Sequence, residues 1–540
     1  MNKQTTVLIT LTFITAYFTT VHSDPSDRLK RSYDPKTVKV TRWLDTTTRP
    51  ITYEEYIKSR DFAPSPNIRQ LRSPLVTTDG VIDIIVNEDL YVHIEDILDT
   101  FIIDLQIEGY DINLYTALET SSPVSLRELL RDDLFNLDIV GVIFIGDLAV
   151  PWYEMDEPDS WGGQHVEFPC DLYFMDLDGV WGDSDLDGMF DSHTGNLLAD
   201  IWTGRLVASP MHYYGDTEIS IISNYLRKNH NYRYGNLRLD DHALAFIDND
   251  WNMYGWGYDV ALAYPDMDSV VDIYETCRDN YIHYLRELSD NRYEHLLICS
   301  HSSPFAHYLY YDEYNWQRFY NYEIEYFMMQ ALSYNLFACS NSRYVEIDNM
   351  GGWYIFETNY GLLSVGSTKT GSMLCFDTFY WPLGEGASFG EAFLFWAQVN
   401  METCAGNESR SWFYGMCIQG DPTLKLARFQ EPLTYCSYVP GDINGDSTVS
   451  GNDVVYGVRY FKGLGMPPVD SCWDDSLSVW LYVTGDANGN CRFTGADVSY
   501  MVGYFKGYNP DILYCPRLPP YSAPGRPAVL DREKPVQILR

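Results

Sequence analysis

The sequence predicts an α/β protein: a mostly parallel sheet covered on both faces, in two subdomains, followed by a small helical module. Three observations predict it. Runs such as Ile139-Val-Gly-Val-Ile-Phe-Ile145 are apolar at every position, as strands buried on both faces must be. These runs alternate with stretches of helical spacing, the order expected of strand–helix–strand units. Residues 436–515 contain an internal repeat of Asp/Asn/Gly loops, each followed by an apolar segment.

The elements follow in order. Lys3 precedes an apolar run from Thr6 to Phe18, and Val21-His22-Ser23 presents a cleavage-type boundary, so residues 1–23 read as a secretory signal peptide. This places the protein outside the cell. Residues 24–75 carry eleven basic against seven acidic side chains in a chain whose net charge is −39, and read as a propeptide or a linker. The first α/β subdomain spans 76–210. Its strands are Val81–Val86, Asp111–Tyr115 and Ile139–Ile145, with a helix from Leu90 to about Leu105 and a second N-capped by Ser125. The second spans 211–430, with strands at Ala243–Ile247, His295–Cys299, Asn335–Ala338 and Gly361–Gly366. The module at 436–515 and a Pro-rich tail at 516–540 complete the chain. No later apolar run is long enough to span a bilayer. The acidic charge excludes nucleic acid as a partner, since phosphate binding needs clustered Lys and Arg.

The chemistry concentrates at strand ends. Three buried runs of the second subdomain end in Asp248-Asn249-Asp250, Ser300-His301-Ser302 and Cys339-Ser340-Asn341. Ligands of open α/β sheets bind beyond the carboxyl ends of the strands. Neighbouring strands lie about 5 Å apart, so these clusters can converge. A thiol beside an imidazole is a candidate nucleophile, and an odd total of eleven cysteines leaves at least one unpaired within the chain.

Several features in fixed order resemble the gingipain and clostripain branch of the caspase-like cysteine peptidases. They are Ile145-Gly146-Asp147, Asp171-Leu-Tyr173, Ala199 to Arg205, His301, Ala338-Cys339, Gly366-Ser367-Thr368, Ser388-Phe-Gly-Glu391 and Gly420-Asp421-Pro422-Thr423-Leu424. The resemblance covers about residues 80–428 and implies a caspase-like sandwich and peptide-bond hydrolysis. It implies Cys339 as nucleophile, His301 as base and Asp250 as the acid orienting the histidine. The backbone N–H groups of Ser302 and Cys339 would form the oxyanion hole, and Asp259 would set preference for a basic P1 residue. Ser300 and Ser302 stand where the family usually has glycine. A non-catalytic binding or adhesion protein on the same fold is therefore a second reading, and a glycoside hydrolase a third.

The repeat has the ligand spacing of calcium loops. Asp442, Asn444, Asp446, Ser450 and Asp453 occupy positions one, three, five, nine and twelve, with Thr448 supplying a carbonyl. Asp486, Asn488, Asn490, Thr494 and Asp497 repeat the scheme, with Arg492 at the carbonyl position. Asp at position twelve and one helix per loop resemble dockerins, which implies Ca2+ as cofactor and a cohesin domain as partner. Asp183, Asp185, Asp187 and Asp191 show the same alternation and are a third candidate Ca2+ site. Cys436, Cys472, Cys491 and Cys515 are available for disulfides in this region, with the pairing open.

Overall fold

The computed structural model describes residues 37–520 apart from 46, 61–67, 75–79, 119–120, 213–215, 240, 265–269, 274–291, 311–314, 402–408, 431–437, 447, 469–471, 475–478, 516–517 and 519. The signal-peptide reading, Cys436 and the tail after 520 lie outside these residues.

An 11-stranded sheet organises residues 68–420. Its strands are β1 (Ile68–Arg72), β2 (Val81–Asn87), β3 (Asp111–Ala117), β4 (Ile139–Ile145), β5 (Trp202–Leu206), β6 (Ala243–Ile247), β7 (Val270–Ile273), β8 (Tyr293–Cys299), β9 (Ala331–Phe337), β10 (Leu363–Ser367) and β11 (Met416–Gly420). Their order across the sheet is β1-β3-β2-β4-β5-β11-β10-β9-β8-β6-β7. In the first half β3, β2, β4 and β5 are parallel, with β1 antiparallel at the edge. In the second half β10, β9, β8, β6 and β7 are parallel to one another. The halves meet where β11, parallel to β5, pairs antiparallel with β10. The two sets of strands therefore run in opposite directions, and their carboxyl ends face opposite ways.

Burial on both faces explains the apolar runs, broken in β2 only by the buried Asp83. On β2, Ile82, Ile84 and Val86 join one core cluster with Leu90, Ile94, Leu98 and Phe101 of helix α1 (Glu88–Ile107). Val81 and Ile85 point the other way, to a cluster with Leu126 and Leu130 of helix α2 (Pro123–Leu137). Each fully buried side chain of this size contributes about 1.5–3 kcal/mol. Gly141 in β4 is required by close packing: a Cβ there would come within 2.1 Å of the Trp202 ring on β5.

Buried polar networks fix the junction. Arg205 Nε lies 2.8 Å from both carboxylate oxygens of Asp171, and Tyr344 OH donates to Asp171 Oδ1 at 2.8 Å. All three side chains are wholly enclosed. Asp421 accepts from Arg233 at 2.6 Å and from Asn229 at 2.8 Å, so helix α3 (Glu218–Arg233) is tied to the turn after β11. Ser388 caps helix α4 (Phe389–Asn400) through a capping box with Glu391.

One expectation changes, and two stretches carry elements the sequence did not reveal. Helix α2 begins at Pro123 with Ser122 as N-cap, and Ser125 instead donates its backbone N–H to Ser122 Oγ at 3.1 Å. Proline at the first helical position fixes φ and sets the start earlier. The stretch read as propeptide or linker contributes β1 to the sheet and a helix, Tyr53–Lys58, packed on Trp152. The crossover between His301 and Cys339 carries a three-stranded antiparallel sheet (His301–Ser303, Ala306–Tyr310 and Trp316–Tyr320) before its helix, Asn321–Tyr326.

The C-terminal module holds two matching helices, α5 (Gly451–Phe461) and α6 (Gly495–Phe505). Ser450 and Thr494 cap them, each in a capping box with the Asp three residues on. Ile443, Ala487, Met501 and Ile512 form its core, and Cys491 is disulfide-bonded to Cys515.

Candidate active site

Strand register levels the polar clusters. Ile247 pairs with Cys299, and Cys299 with Phe337, so β6, β8 and β9 end side by side. Asp250, His301 and Cys339 follow two or three residues beyond. Asp250 Oδ2 lies 2.8 Å from His301 Nε2. Trp251 packs against the imidazole, with ring centroids 4.9 Å apart, and Tyr310 approaches its edge at 5.9 Å.

The protonation pattern follows from the partners. The backbone N–H of Arg42 donates to His301 Nδ1 at 2.9 Å, so that nitrogen carries a lone pair and Nε2–H donates to Asp250. Burial lowers the His301 pKa and outweighs the opposite pull of Asp250, which keeps the ring neutral. For Asp250, burial is outweighed by hydrogen bonds from His301 and from Lys39, whose Nζ lies 2.5 Å away, and its pKa is lowered.

Cys339 is fully enclosed, and burial pushes its thiol up to about 12. Its Sγ donates to the Ser302 carbonyl at 3.0 Å, while Ser302 Oγ donates to the Cys339 carbonyl at 2.6 Å. No hydrogen bond joins Cys339 to His301 among the described residues. The Ser302 N–H, one of the two oxyanion donors implied above, donates to the Arg42 carbonyl at 3.3 Å. Neither Ser300 nor Ser302 has positive φ, so this backbone path does not require glycine. Ser340, after the cysteine, does have positive φ, 55°. Gly366 leaves room for the following turn: a Cβ there would meet Ser342 Oγ at 2.3 Å.

Asp259, the residue implied for P1 preference, follows Asp250 on the same segment. It sits in the short helix Gly257–Val260, where burial and then Asp377 raise its pKa well above the carboxylate range. Among the described residues no hydrogen bond links it to His301 or Cys339. What sequence reasoning missed is the segment around Arg42, whose only local signal is the alternation of Val38 and Val40 with polar neighbours.

The twin loops are built alike. Asp442, Asp453, Asp486 and Asp497 are buried carboxylates. Asp442 accepts from the N–H groups of Gly445 and Asp446, and Asp453 from those of Asn444 and Ser450. Asp486 accepts from Asn490 and Cys491, and Asp497 from Asn488 and Thr494. The Asp446 and Asn490 side chains accept from the N–H groups of Thr448 and Arg492, turning the loops so that those two carbonyl positions follow. Burial, with Asp497 nearby, raises Asp486 to about 6. Asp183, Asp185 and Asp187 come together in an exposed turn between Val180–Gly182 and Ser192–Thr194. Asp185 and Asp191 also group with Glu154, which the alternation did not reveal.

Among the described residues no helix is long and apolar enough to cross a membrane. Set against known proteins, the chain matches no protein-family model, no curated protein and no solved structure.

Proposed function

We propose that this chain is a secreted cysteine endopeptidase of the gingipain and clostripain type, on a caspase-like fold, with a dockerin-like module at its C-terminus. The observation that carries the reading is the level ending of β6, β8 and β9, which aligns Asp250, His301 and Cys339 with a 2.8 Å Asp–His hydrogen bond. In the working state His301 Nδ1 takes the thiol proton, and the thiolate attacks the peptide carbonyl. The N–H groups of Ser302 and Cys339 stabilise the oxyanion. His301 then returns the proton to the leaving amine, and water hydrolyses the acyl-enzyme. Asp250 holds the Nε2–H tautomer that leaves Nδ1 free to act as base.

The test uses full-length protein carrying Val38→Asp and Val40→Asp, which deprive the segment over the site of its two buried valines. It should cleave a mixed fluorogenic peptide library under reducing conditions, and adding Cys339→Ala should lower the rate about 10⁵-fold. A folded variant that alkylates at Cys339 but cleaves nothing would establish the second reading, a non-catalytic binding protein. That reading is favoured by the thiol's bond to Ser302 rather than to His301.

The twin loops fit Ca2+. Asp442, Asn444, Asp446, Thr448, Ser450 and Asp453 would hold one ion, and their counterparts from Asp486 to Asp497 a second, with a cohesin domain as the module's partner. At about a hundredfold excess over Kd, Ca2+ should stabilise the module by about 3 kcal/mol. Asp453→Ala with Asp497→Ala should abolish that gain in calorimetry.

A further inference from the structure

The segment Thr37–Asp45 lies across the group formed by His301, Ser302 and Cys339. Arg42 brackets it through backbone alone: its N–H fills the lone pair of His301 Nδ1 and its carbonyl takes the Ser302 N–H. Further contacts anchor the segment on either side. Trp251 Nε1 donates to the Lys39 carbonyl at 2.7 Å, and Tyr254 OH to that of Thr37 at 2.9 Å. Thr41 Oγ1 donates to the Gly371 carbonyl at 3.3 Å, and Arg42 Nη1 to that of Trp161 at 2.9 Å. Lys39 pairs with Asp250, Asp45 lies 3.3 Å from Arg318, and Trp43 packs edge-on against Phe305.

These are contacts a peptide substrate would need. Recognition through backbone amides with pockets for alternate side chains is how grooves hold extended peptides. Val38 and Val40 are buried while Lys39 between them is exposed, the alternation of an extended chain. Thr41 is fully enclosed with its hydroxyl against the cysteine sulfur.

We propose that Thr37–Asp45 is a resident occupant of the substrate groove, which keeps the chain latent and displays the kind of peptide the groove accepts. That peptide is an extended segment with a small side chain at the Thr41 position and a basic one at the Lys39 position, opposite Asp250. The proposal rests on the peptidase reading for the word substrate, but occupancy of the groove can be tested without turnover. With the segment in place, the base has no free lone pair and the oxyanion donor is taken. The thiol, directed at the Ser302 carbonyl, is not ionised. The segment thus survives next to the residues that would cut it.

The test follows iodoacetamide labelling of Cys339 by peptide mapping, in full-length wild type, in Val38→Asp/Val40→Asp and in Arg42→Pro, which lacks the N–H that reaches His301. Cys170, Cys299 and Cys417 are buried too and report whether each variant stays folded. Releasing the segment should speed Cys339 labelling about tenfold or more while the other three stay protected. A synthetic peptide of residues 37–45 should then slow labelling again at about millimolar concentration, since a tethered segment acts at an effective concentration of that order. Replacing Thr41 by Trp in that peptide should cost most of the protection, and Lys39→Glu a smaller part.

Equal labelling of Cys339 in wild type and in both folded variants would overturn the proposal, as would a peptide without effect. Faster labelling reversed by the peptide, with no hydrolysis of any substrate, would uphold the occupied groove and remove the peptidase reading.

Discussion

The first half of the sheet closes its strand ends with caps and ion pairs, whereas the second half ends three of its strands in polar clusters. After β2 the chain turns into α1 through the Asn87 cap, and Asn87 Nδ2 also donates to the Asp147 carbonyl at 2.7 Å beyond β4. Arg205 in β5 is sealed against Asp171. Beyond β6, β8 and β9 the chain leaves the sheet in loops that carry Asp250, His301 and Cys339, with Asp250 bonded to His301 and Cys339 to Ser302. Both halves are the same alternation of strand and helix, and because they run in opposite directions only one set of ends can lie on that side. Such a division sets sealed ion pairs in one half and the proposed catalytic group in the other.

That division can be broken experimentally. Arg205→Ala leaves Asp171 buried without its cation, so unfolding by urea should show a loss of about 3–5 kcal/mol. A loss under 1 kcal/mol would mean the junction is not where stability resides. Next, Asp250→Asn in the Val38→Asp/Val40→Asp background should reduce hydrolysis about 10²-fold, equivalent to about 2.7 kcal/mol of barrier, with little change in urea midpoint. An equal fall in stability would make Asp250 a structural residue.

A smaller effect concerns pH. His295 in β8 and His307 are wholly buried, and burial lowers both to about 3. His295 is held between Ser333 and the Tyr380 hydroxyl, each at 2.9 Å, and His307 between Ser300 at 3.0 Å and Tyr354 at 2.8 Å. Between pH 3 and the unfolded value of about 6.5 the unfolded chain binds more protons. Their stabilisation is therefore complete above pH 6.5 and falls as pH drops through that window. His295→Phe should flatten the acid limb by about 1 kcal/mol per pH unit in urea titrations at pH 4–6. An unchanged slope would show that this half does not carry the acid sensitivity.

Legibility differed from element to element. Strands β2, β3, β4, β6, β8, β9 and β10 were readable because burial on both faces leaves short runs rich in apolar residues, unbroken in β4 and β6, and the twin loops because ligand spacing is local. Strand β1, Ile-Arg-Gln-Leu-Arg, was not: at the sheet edge it is only partly buried and its side chains answer to solvent. Strand β11 was not readable as the junction, since nothing in Met-Cys-Ile-Gln-Gly says which neighbour it takes.

By itself, then, the sequence determined most of the central parallel strands, the two loop motifs and the residue types at three strand ends. Local hydrophobic period and ligand spacing act within a few residues and need no distant partner. Only the tertiary structure decided that the halves run oppositely, that Asp259 stands beside Asp377, and that Arg42 covers His301. Those facts depend on contacts between residues hundreds of positions apart, whose pairing is set by the packing of the whole core rather than by any segment's own propensity.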